Sequence, residues 1–222
     1  MTTTFITGAN RGIGLAIAKQ AIDAGHTVIG TARQPCEATE LRELGARVVK
    51  FDAADPVSVE ALKTELGDTP IDIVINNGAI FPDRSGLEGT NLDDFEATMR
   101  VYVRGPIAVT RALLGNVRAS ERKTVATISS SMGSIAGTKS GGSYAYRASK
   151  AAVNMLMRAM AAEIDDVTFL AVDPGWVKTD MGGGGAALTP EVSAAGIFNV
   201  VSTAAREQSG LFLRHDGERL EW

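Results

Sequence analysis

The sequence predicts an α/β fold in which about seven parallel strands form one doubly wound sheet with helices on both faces. Three observations indicate this. Short apolar segments alternate with helical segments along the chain, the first apolar segment runs directly into a glycine-rich turn, and no repeat or low-complexity tract interrupts the alternation. A chain of 222 residues suits one large domain, so we expect residues 1–222 to form a single domain.

Composition argues against several classes of function. The net charge of -4 and the absence of basic clusters argue against nucleic acid as a main partner. Cys36 is the only cysteine, so the chain offers no internal disulfide and no Cys/His group for a metal site. The N-terminal segment lacks the features of a secretory signal, and no apolar run reaches the length of a membrane span. We therefore expect a cytoplasmic protein with neither membrane nor metal as a partner.

The first strand and helix enclose a candidate nucleotide-binding turn. The strand Thr3–Thr7 leads into a GxxxGxG turn, and a helix is predicted over Leu15–Ala24. Strand, glycine-rich turn and helix in this order are the context of a dinucleotide-binding turn. Gly8 would allow the tight turn, Gly12 would let the backbone approach a pyrophosphate, and Gly14 would let the helix pack closely on the strand. The helix N-terminus would favour the phosphates.

The second strand bears on which dinucleotide would bind. It is predicted over Thr27–Ala32 and is followed by Arg33, with no acid that would suit the ribose 2′-hydroxyl of NAD. Arg11, inside the glycine-rich turn, could reach the same region. Two guanidinium groups near one phosphate favour NADP(H) over NAD(H), although NAD(H) stays possible. The alternative is that both are solvated surface arginines.

The next segments surround the expected adenine position. A helix is predicted over Cys36–Leu44, a third strand over Arg47–Phe51 and a helix over Pro56–Leu66. Asp52 could accept a hydrogen bond from an adenine amino group. Asp55, just before a proline at the first helical position, could cap the helix that follows.

The central strands carry polar residues at their ends. The fourth strand, Ile71–Ile75, leads into Asn76–Ala79, and one long helix is predicted over Asn91–Val117 with a kink at Gly105-Pro106. The fifth strand, Thr124–Ile128, ends in Ser129–Ser131, where an open parallel sheet binds its ligands. The remaining predicted segments are a strand over Val167–Val172, a glycine run over Gly182–Gly185 that could be a lid or a plain linker, a helix over Thr189–Ala204 and a strand over Gly210–Arg214.

Tyr146 and Lys150 form a YxxxK pattern at the start of a predicted helix, four residues apart and so on one helical face. A free tyrosine has a pKa of about 10, and an ammonium group close by would lower it. The pair could therefore act as an acid/base catalyst near neutral pH. Taken alone, the same spacing also occurs by chance on half-exposed helices.

Several motifs occur together and in order: TGANRGIG, NNGA, ISSSMG, YRASK and DPGWVKTDM. On these motifs, which span nearly the whole chain, the sequence resembles the short-chain dehydrogenase/reductase family, which has a Rossmann fold. The stretches SSMGSIAG, GGSYAYRASKAAVNML, PGWVKTDMGG and DGERLEW make it most similar to the small carbonyl reductases of the sniffer and C-factor type.

The resemblance implies a role for each matching position. Tyr146 would be the catalytic acid/base, Lys150 would lower the pKa of that tyrosine and bind the nicotinamide ribose, and Ser130 would hydrogen-bond the substrate carbonyl, with Ser131 as a competitor. The implied cofactor-binding residues are Gly8, Asn10, Arg11, Gly12, Ile13, Gly14, Arg33, Asp52, Ala53, Asn77, Gly78, Tyr146, Lys150, Pro174, Gly175, Val177 and Thr179.

Two positions depart from the family pattern. Gly78-Ala79 reverses the usual Ala-Gly order, and Tyr102 stands where the family has an asparagine that holds a water on the lysine. Tyrosine could block that water or replace it. The resemblance implies hydride transfer between NADP(H) and a small-molecule carbonyl/alcohol pair, and a homodimer or homotetramer. The alternative is a catalytically impaired protein that binds the dinucleotide as a sensor or interaction scaffold.

Overall fold

A single parallel sheet organises the chain. The computed structural model describes residues 1–222, and its strands are β1 (Thr3–Ile6), β2 (Thr27–Ala32), β3 (Arg47–Lys50), β4 (Ile73–Asn76), β5 (Thr124–Ile128), β6 (Thr168–Asp173) and β7 (Leu211–Arg214). The order across the sheet is β3-β2-β1-β4-β5-β6-β7, with every pair parallel. The order reverses between β1 and β4, which opens a crevice at the carboxyl ends of these strands.

Helices cover both faces of the sheet, as the alternation of segments predicts. They are α1 (Gly12–Asp23), α2 (Thr39–Glu43), α3 (Pro56–Leu66), α4 (Leu92–Met99), α5 (Gly105–Arg118), α6 (Tyr144–Glu163) and α7 (Pro190–Ser202). One core cluster packs α1, α2 and α7 against the sheet, and a second packs α3, α5 and α6 against the opposite face. The predicted doubly wound α/β architecture is confirmed. No helix in the chain combines the length and apolarity needed to cross a membrane.

Side chains cap the starts of two helices, and the cap at Asp55 is the expected one. The Asp55 carboxylate accepts the Val57 N–H at 2.9 Å, with a proline in the first turn of α3. The Thr189 hydroxyl accepts the Val192 N–H at the start of α7. These side chains satisfy N–H groups that have no partner inside the helix.

The prediction of one long helix over Asn91–Val117 is wrong in its centre. The segment forms α4 and α5, joined by a π-helical turn over Arg100–Arg104. Pro106 lies in the first turn of α5, where its missing N–H costs little, so the break comes before the expected Gly105-Pro106 kink. A π-helical turn carries one extra residue and re-aims side chains, and here Tyr102 becomes buried.

Smaller differences concern the ends of elements. The helix predicted over Cys36–Leu44 is a 3-10 turn at Pro35–Glu37 followed by the short α2. The helix predicted from Leu15 begins earlier, at Gly12, so the last glycines of the turn belong to its first turn. Propensity cannot detect this start because glycine is a poor helix former.

Candidate active site

The segments marked by the sequence meet at the carboxyl edge of the sheet. β1, β4, β5 and β6 are direct neighbours, with Ile6 paired to Ile75, Asn76 to Thr127 and Ile128 to Val172. The turns that follow these strands are therefore side by side. The edge brings together the glycine-rich turn, the asparagine segment after β4 and the serine run after β5.

Tyr146 and Lys150 lie in the first two turns of α6. The Lys150 side chain is buried, and its Nζ donates a hydrogen bond to the Ile128 carbonyl oxygen at 2.8 Å. Its Nζ is 5.5 Å from the centroid of the Tyr146 ring. The helix thus presents both side chains to the same place, beside the end of β5.

Burial governs the protonation of this pair. It raises the pKa of Tyr146 above its ordinary value, while the Ser130 hydroxyl opposes the rise by hydrogen bonding. Burial also lowers the pKa of Lys150 to about 7, against the opposing charge of Asp173. The expected lowering of the tyrosine pKa by the ammonium is therefore not seen in this site, because desolvation outweighs the charges around the phenol.

The two candidate serines occupy different positions. Ser130 is 8% exposed, its hydroxyl lowers the pKa of Tyr146 against the larger effect of burial, and its Oγ accepts the Met132 N–H at 3.2 Å. Ser131 is exposed and begins a 3-10 turn over Ser131–Gly133. Of the two hydroxyls, that of Ser130 is the one that affects the pKa of Tyr146.

A buried polar network that the sequence reading missed holds this turn on α6. The Ser129 hydroxyl donates to Asn154 Oδ1 at 2.6 Å, and Asn154 Nδ2 donates to the Gly133 carbonyl at 3.3 Å. Gly133 lies so close to α6 that an added Cβ would be 2.7 Å from the Lys150 carbonyl carbon. The sequence of the loop does not predict these contacts, because they depend on the path that the loop takes.

Asp173 is a second residue that sequence reasoning did not select. It ends β6, is 3% exposed, and its Oδ1 accepts the Ser131 N–H at 2.9 Å. Burial raises the pKa of this carboxyl, while the Ser131 and Gly175 N–H groups lower it. A buried carboxylate beside Lys150 favours the ammonium form. The sequence feature that could have identified Asp173 is its position as an acid at the carboxyl end of a buried strand, where ligands bind.

The glycine-rich turn has the geometry that its spacing predicts. Gly8 and Gly12 adopt left-handed conformations with φ of +62° and +55°. A Cβ on Gly14 would lie 2.3 Å from the Gly8 carbonyl oxygen, so only glycine permits this packing of α1 on the turn. Asn10 and Ile13 lie on the same turn, both partly exposed.

Asn77 and Gly78 support this turn from β4. Asn77 Nδ2 donates to the carbonyl oxygens of Thr7 and Gly8, both at 3.1 Å. The backbone N–H groups of Asn77 and Gly78 both donate to Thr7 Oγ1, at 2.9 and 3.0 Å. The reversed Gly78-Ala79 order therefore leaves the link between β1 and β4 intact. The Asn77 amide donors are engaged by protein, so its oxygen is the atom that remains for a ligand.

The two arginines expected to select the cofactor are exposed. Arg11 forms an exposed ion pair with Asp180 at 3.0 Å, and Arg33 follows β2. Asp52 Oδ1 accepts the Ala54 N–H at 2.9 Å and so closes its own turn. Ala53 packs against Gly105, where an added Cβ would be 2.9 Å away. The structure thus gives Asp52 a local capping contact, with its second carboxylate oxygen still free of such a bond.

The loop after β6 is held by its own hydrogen bonds. The Pro174 carbonyl oxygen accepts a hydrogen bond from the Ser193 hydroxyl at 2.7 Å, and Gly175 has a φ of +75°. Val177 is buried and forms a β-bridge with Leu188. The Thr179 hydroxyl accepts the Gly182 N–H at 3.1 Å, and Trp176 Nε1 donates to the Gly182 carbonyl at 2.9 Å. The glycine run after Met181 is thus anchored at its start to the segment expected to face the nicotinamide.

Two further contacts tie together the loops around Tyr146. The Ser85 carbonyl, in the loop after β4, accepts the Ser143 N–H at 3.1 Å. The Arg84 guanidinium donates to the Met181 carbonyl, and its charge lowers the pKa of Tyr146 against the larger effect of burial. These contacts join the loop after β4 to the start of α6 and to the loop after β6.

The doubly wound parallel sheet, with a glycine-rich turn at the carboxyl end of β1, has the architecture of dinucleotide-binding α/β folds. Residues 2–187 match the family described as short chain dehydrogenase, and the chain belongs to that family. This confirms the resemblance seen in the motifs.

Curated relatives and solved structures agree with this assignment. The chain is 36% identical to C-signal of Myxococcus xanthus over 166 residues, covering 74% of this chain and 100% of that protein. It is 31% identical to 1-hydroxy-2-glutathionyl-2-methyl-3-butene dehydrogenase of Rhodococcus sp. over 232 residues, with 100% of both chains covered. Among solved structures, carbonyl reductase Sniffer of D. melanogaster matches with a TM-score of 0.95 and 28% identity over 100% of both chains. A carbonyl reductase from Pseudomonas aeruginosa in complex with NADP matches with a TM-score of 0.86 and 30% identity, again over 100% of both chains.

Proposed function

We propose that this oxidoreductase transfers a hydride between NADP(H) and an aldehyde or ketone and its alcohol, with Tyr146 as the acid/base. The observation that carries the proposal is the cluster of Ser130, Tyr146 and Lys150 beside the glycine-rich turn, at the carboxyl edge of the sheet. Carbonyl reductases among the structural neighbours support the substrate class.

The glycine-rich turn fits a dinucleotide. A side chain at Gly14 would collide with the turn, and the left-handed conformations of Gly8 and Gly12 keep the backbone free of side chains where a pyrophosphate would approach. The first N–H groups of α1 point out of the same turn and favour an anion. The residues proposed to hold the cofactor are the individual positions that the resemblance implies, of which Gly8 is the first and Thr179 the last.

The preference for NADP(H) rests on two exposed guanidinium groups. Arg11 and Arg33 follow β1 and β2, which are adjacent strands, and neither strand ends in an acid. Arginine binds a phosphate with two parallel hydrogen bonds, whereas an acid would repel the 2′-phosphate. The structural neighbour solved with NADP supports this preference. We expect Arg33→Ala to weaken NADPH binding more than NADH binding, measured by fluorescence titration.

The proposed reaction divides the work among three side chains. Ser130 donates a hydrogen bond to the substrate carbonyl oxygen and so orients the carbonyl carbon. Bound NADPH supplies the hydride to that carbon. Tyr146 gives its phenolic proton to the oxygen as negative charge develops there, and Lys150 stabilises the resulting phenolate by its charge. In the opposite direction Tyr146 accepts the proton of the alcohol.

NADPH oxidation followed at 340 nm, with a panel of aldehydes, ketones and diketones, tests this proposal. We expect turnover by the parent protein and a loss of at least about 100-fold in Tyr146→Phe, because an acid/base contributes about 10²–10⁴-fold. Tyr144→Phe is the matched control, since Tyr144 lies two residues away on the same helix and is 39% exposed. Equal rates in the parent and Tyr146→Phe would contradict the assigned role.

The second candidate function is a dinucleotide-binding sensor or scaffold without efficient catalysis. The observation that favours it is Tyr102, whose hydroxyl donates to the Ile80 carbonyl at 2.7 Å instead of reaching Lys150. Tight NADPH binding with no turnover on any carbonyl would support this candidate. Turnover that appears only in Tyr102→Asn would show that catalysis is suppressed at this position.

We also propose a homodimer or homotetramer. Met157 belongs to the core, whereas Met155 on the same helix is 67% exposed and so is available for a partner surface. Light scattering coupled to size-exclusion chromatography tests this proposal, and a monomer at micromolar concentration would contradict it.

A further inference from the structure

The Tyr102 ring covers the ammonium group of Lys150. Lys150 Nζ lies 4.1 Å from the centroid of the Tyr102 ring, closer than to the Tyr146 ring. The two tyrosine rings meet edge to face, with centroids 5.7 Å apart and planes at 81°. Tyr102 is 3% exposed, and so is Lys150. The ammonium is therefore enclosed by two aromatic rings.

Burial leaves this ammonium with few partners. An ammonium has three N–H donors, and the protein supplies one hydrogen-bond acceptor, the Ile128 carbonyl oxygen at 2.8 Å. The groups that face Lys150 are Asp173 from β6, Tyr146 from its own helix and Tyr102 from the π-helical turn. Asp173 is the only negative charge among them, and it is already bound to the Ser131 N–H. The face of an aromatic ring attracts a cation most strongly where water is excluded.

The ring is held in this position by three features of the fold. The π-helical turn between α4 and α5 directs the side chain inward. The hydroxyl donates to the Ile80 carbonyl at 2.7 Å and lies 3.9 Å from the Met181 sulfur. Burial raises the pKa of Tyr102, so the hydroxyl stays a neutral donor at working pH. The hydroxyl thus anchors the ring, and it is the ring face that meets the lysine.

We propose that Tyr102 is a positioning residue whose ring face binds the Lys150 ammonium and keeps it charged beneath Tyr146. This inference rests on the proposed function, in which the lysine must be charged to support the tyrosine. The electrostatic help comes from the aromatic face, so it requires a ring at position 102 and not a hydroxyl. Tyr102→Phe should therefore preserve it, whereas Tyr102→Leu should lose it, because leucine keeps an apolar side chain but has no aromatic face.

The first test follows the titration of Lys150 directly, in protein labelled with ¹³C in its lysines. The Lys150 Cε resonance is assigned by its loss in Lys150→Met. We expect Tyr102→Leu to lower the titration midpoint of Lys150 by about one pH unit, which corresponds to a tenfold change in the ionisation constant. Tyr102→Phe should stay close to the parent. A Leu variant with the parent's midpoint would overturn the proposal.

The second test follows kcat/KM for carbonyl reduction against pH. The rate should fall as pH rises through the pKa of Lys150, because the neutral amine no longer stabilises the phenolate. This falling limb should move to lower pH in Tyr102→Leu and remain in place in Tyr102→Phe. A uniform loss of rate in both variants, with unmoved limbs, would indicate a merely structural role and overturn the proposal.

Two controls keep the tests decisive. Near-ultraviolet circular dichroism verifies folding, and Tyr102→Met replaces Tyr102→Leu if the latter does not fold, since methionine adapts to irregular spaces. If the parent shows no reductase activity, the proposed function fails but the titration of Lys150 still tests the contact with the ring. If the parent is active and the midpoint does not depend on the ring, only the present inference fails.

Discussion

Gly133, in the turn after β5, packs directly on α6 beside Lys150, and Gly133→Ala should displace that turn and so damage the site. The new Cβ would lie 2.7 Å from the Lys150 carbonyl carbon, 2.8 Å from Lys150 Cβ and 2.9 Å from the Ala151 nitrogen. Carbon contacts of about 3.4 Å or more are comfortable, so turn and helix must separate by about 0.5–0.7 Å. Because a 1 Å misplacement can cost about 100-fold, we expect kcat/KM to fall by roughly tenfold or more.

The same variant should also lose stability. Overpacking a close contact typically costs about 1–3 kcal/mol, which urea denaturation would detect as a lower midpoint with an unchanged slope. Gly115→Ala in α5 is the matched control, because no atom lies within 4 Å of its added Cβ. That control should keep its activity and gain up to about 1 kcal/mol, since alanine is the better helix former. A Gly133→Ala variant that kept kcat/KM within about threefold of the parent would show that this contact does not position the site.

Three other changes have outcomes set by single contacts. Gly14→Ala should abolish dinucleotide binding in a fluorescence titration while the protein stays folded, because its Cβ would lie 2.3 Å from the Gly8 carbonyl oxygen; unchanged affinity would contradict the geometry of the turn. Lys150→Met should be more stable than the parent below pH 7, since burial lowers the pKa of Lys150 to about 7 and penalises the charged form. Between about pH 7 and pH 10.5 the lysine is neutral in the folded parent but protonated in the unfolded chain, so the parent gains stability as pH rises. The advantage of Lys150→Met should therefore shrink by at most about 1.4 kcal/mol per pH unit. A difference in urea midpoints that does not change with pH would contradict this prediction. Asp173→Asn should move the falling limb of the pH–rate profile to lower pH, because the buried carboxylate favours the ammonium, and an unmoved limb would show that this charge does not act on the lysine.

Strand positions were predictable because buried parallel strands are continuous apolar runs ended by polar or glycine residues. The segments around β1, β2 and β5 could be placed closely for this reason. The caps of α3 and α7 were equally predictable, since an acid or threonine before a proline has a local physical cause. Local signals of this kind do not depend on the rest of the fold.

The π-helical turn and the second layer of the site were not predictable from local pattern. The kink was predicted at Pro106 because proline usually breaks a helix. The break is instead a π-helical turn over Arg100–Arg104, which buries Tyr102. The Ser129–Asn154 pair joins residues far apart in sequence, and the Asp173 carboxylate reaches the serine turn from another strand. Such contacts depend on how loops cross the edge of the sheet, and no periodicity in the sequence encodes that path. The pKa of Tyr146 could not be predicted either, because burial and nearby charges act in opposite directions.

Following the transferred hydride tests most directly whether Tyr146 drives carbonyl reduction. The protein is incubated with a ketone and NADPH that carries deuterium at the transferred position, and the alcohol is analysed by mass spectrometry. We expect one deuterium on the carbinol carbon with the parent, and at least about 100-fold less labelled alcohol with Tyr146→Phe at equal cofactor binding. Labelled alcohol formed equally by both proteins, or none formed by the parent across the carbonyl panel, would contradict the claim that Tyr146 drives carbonyl reduction in this site.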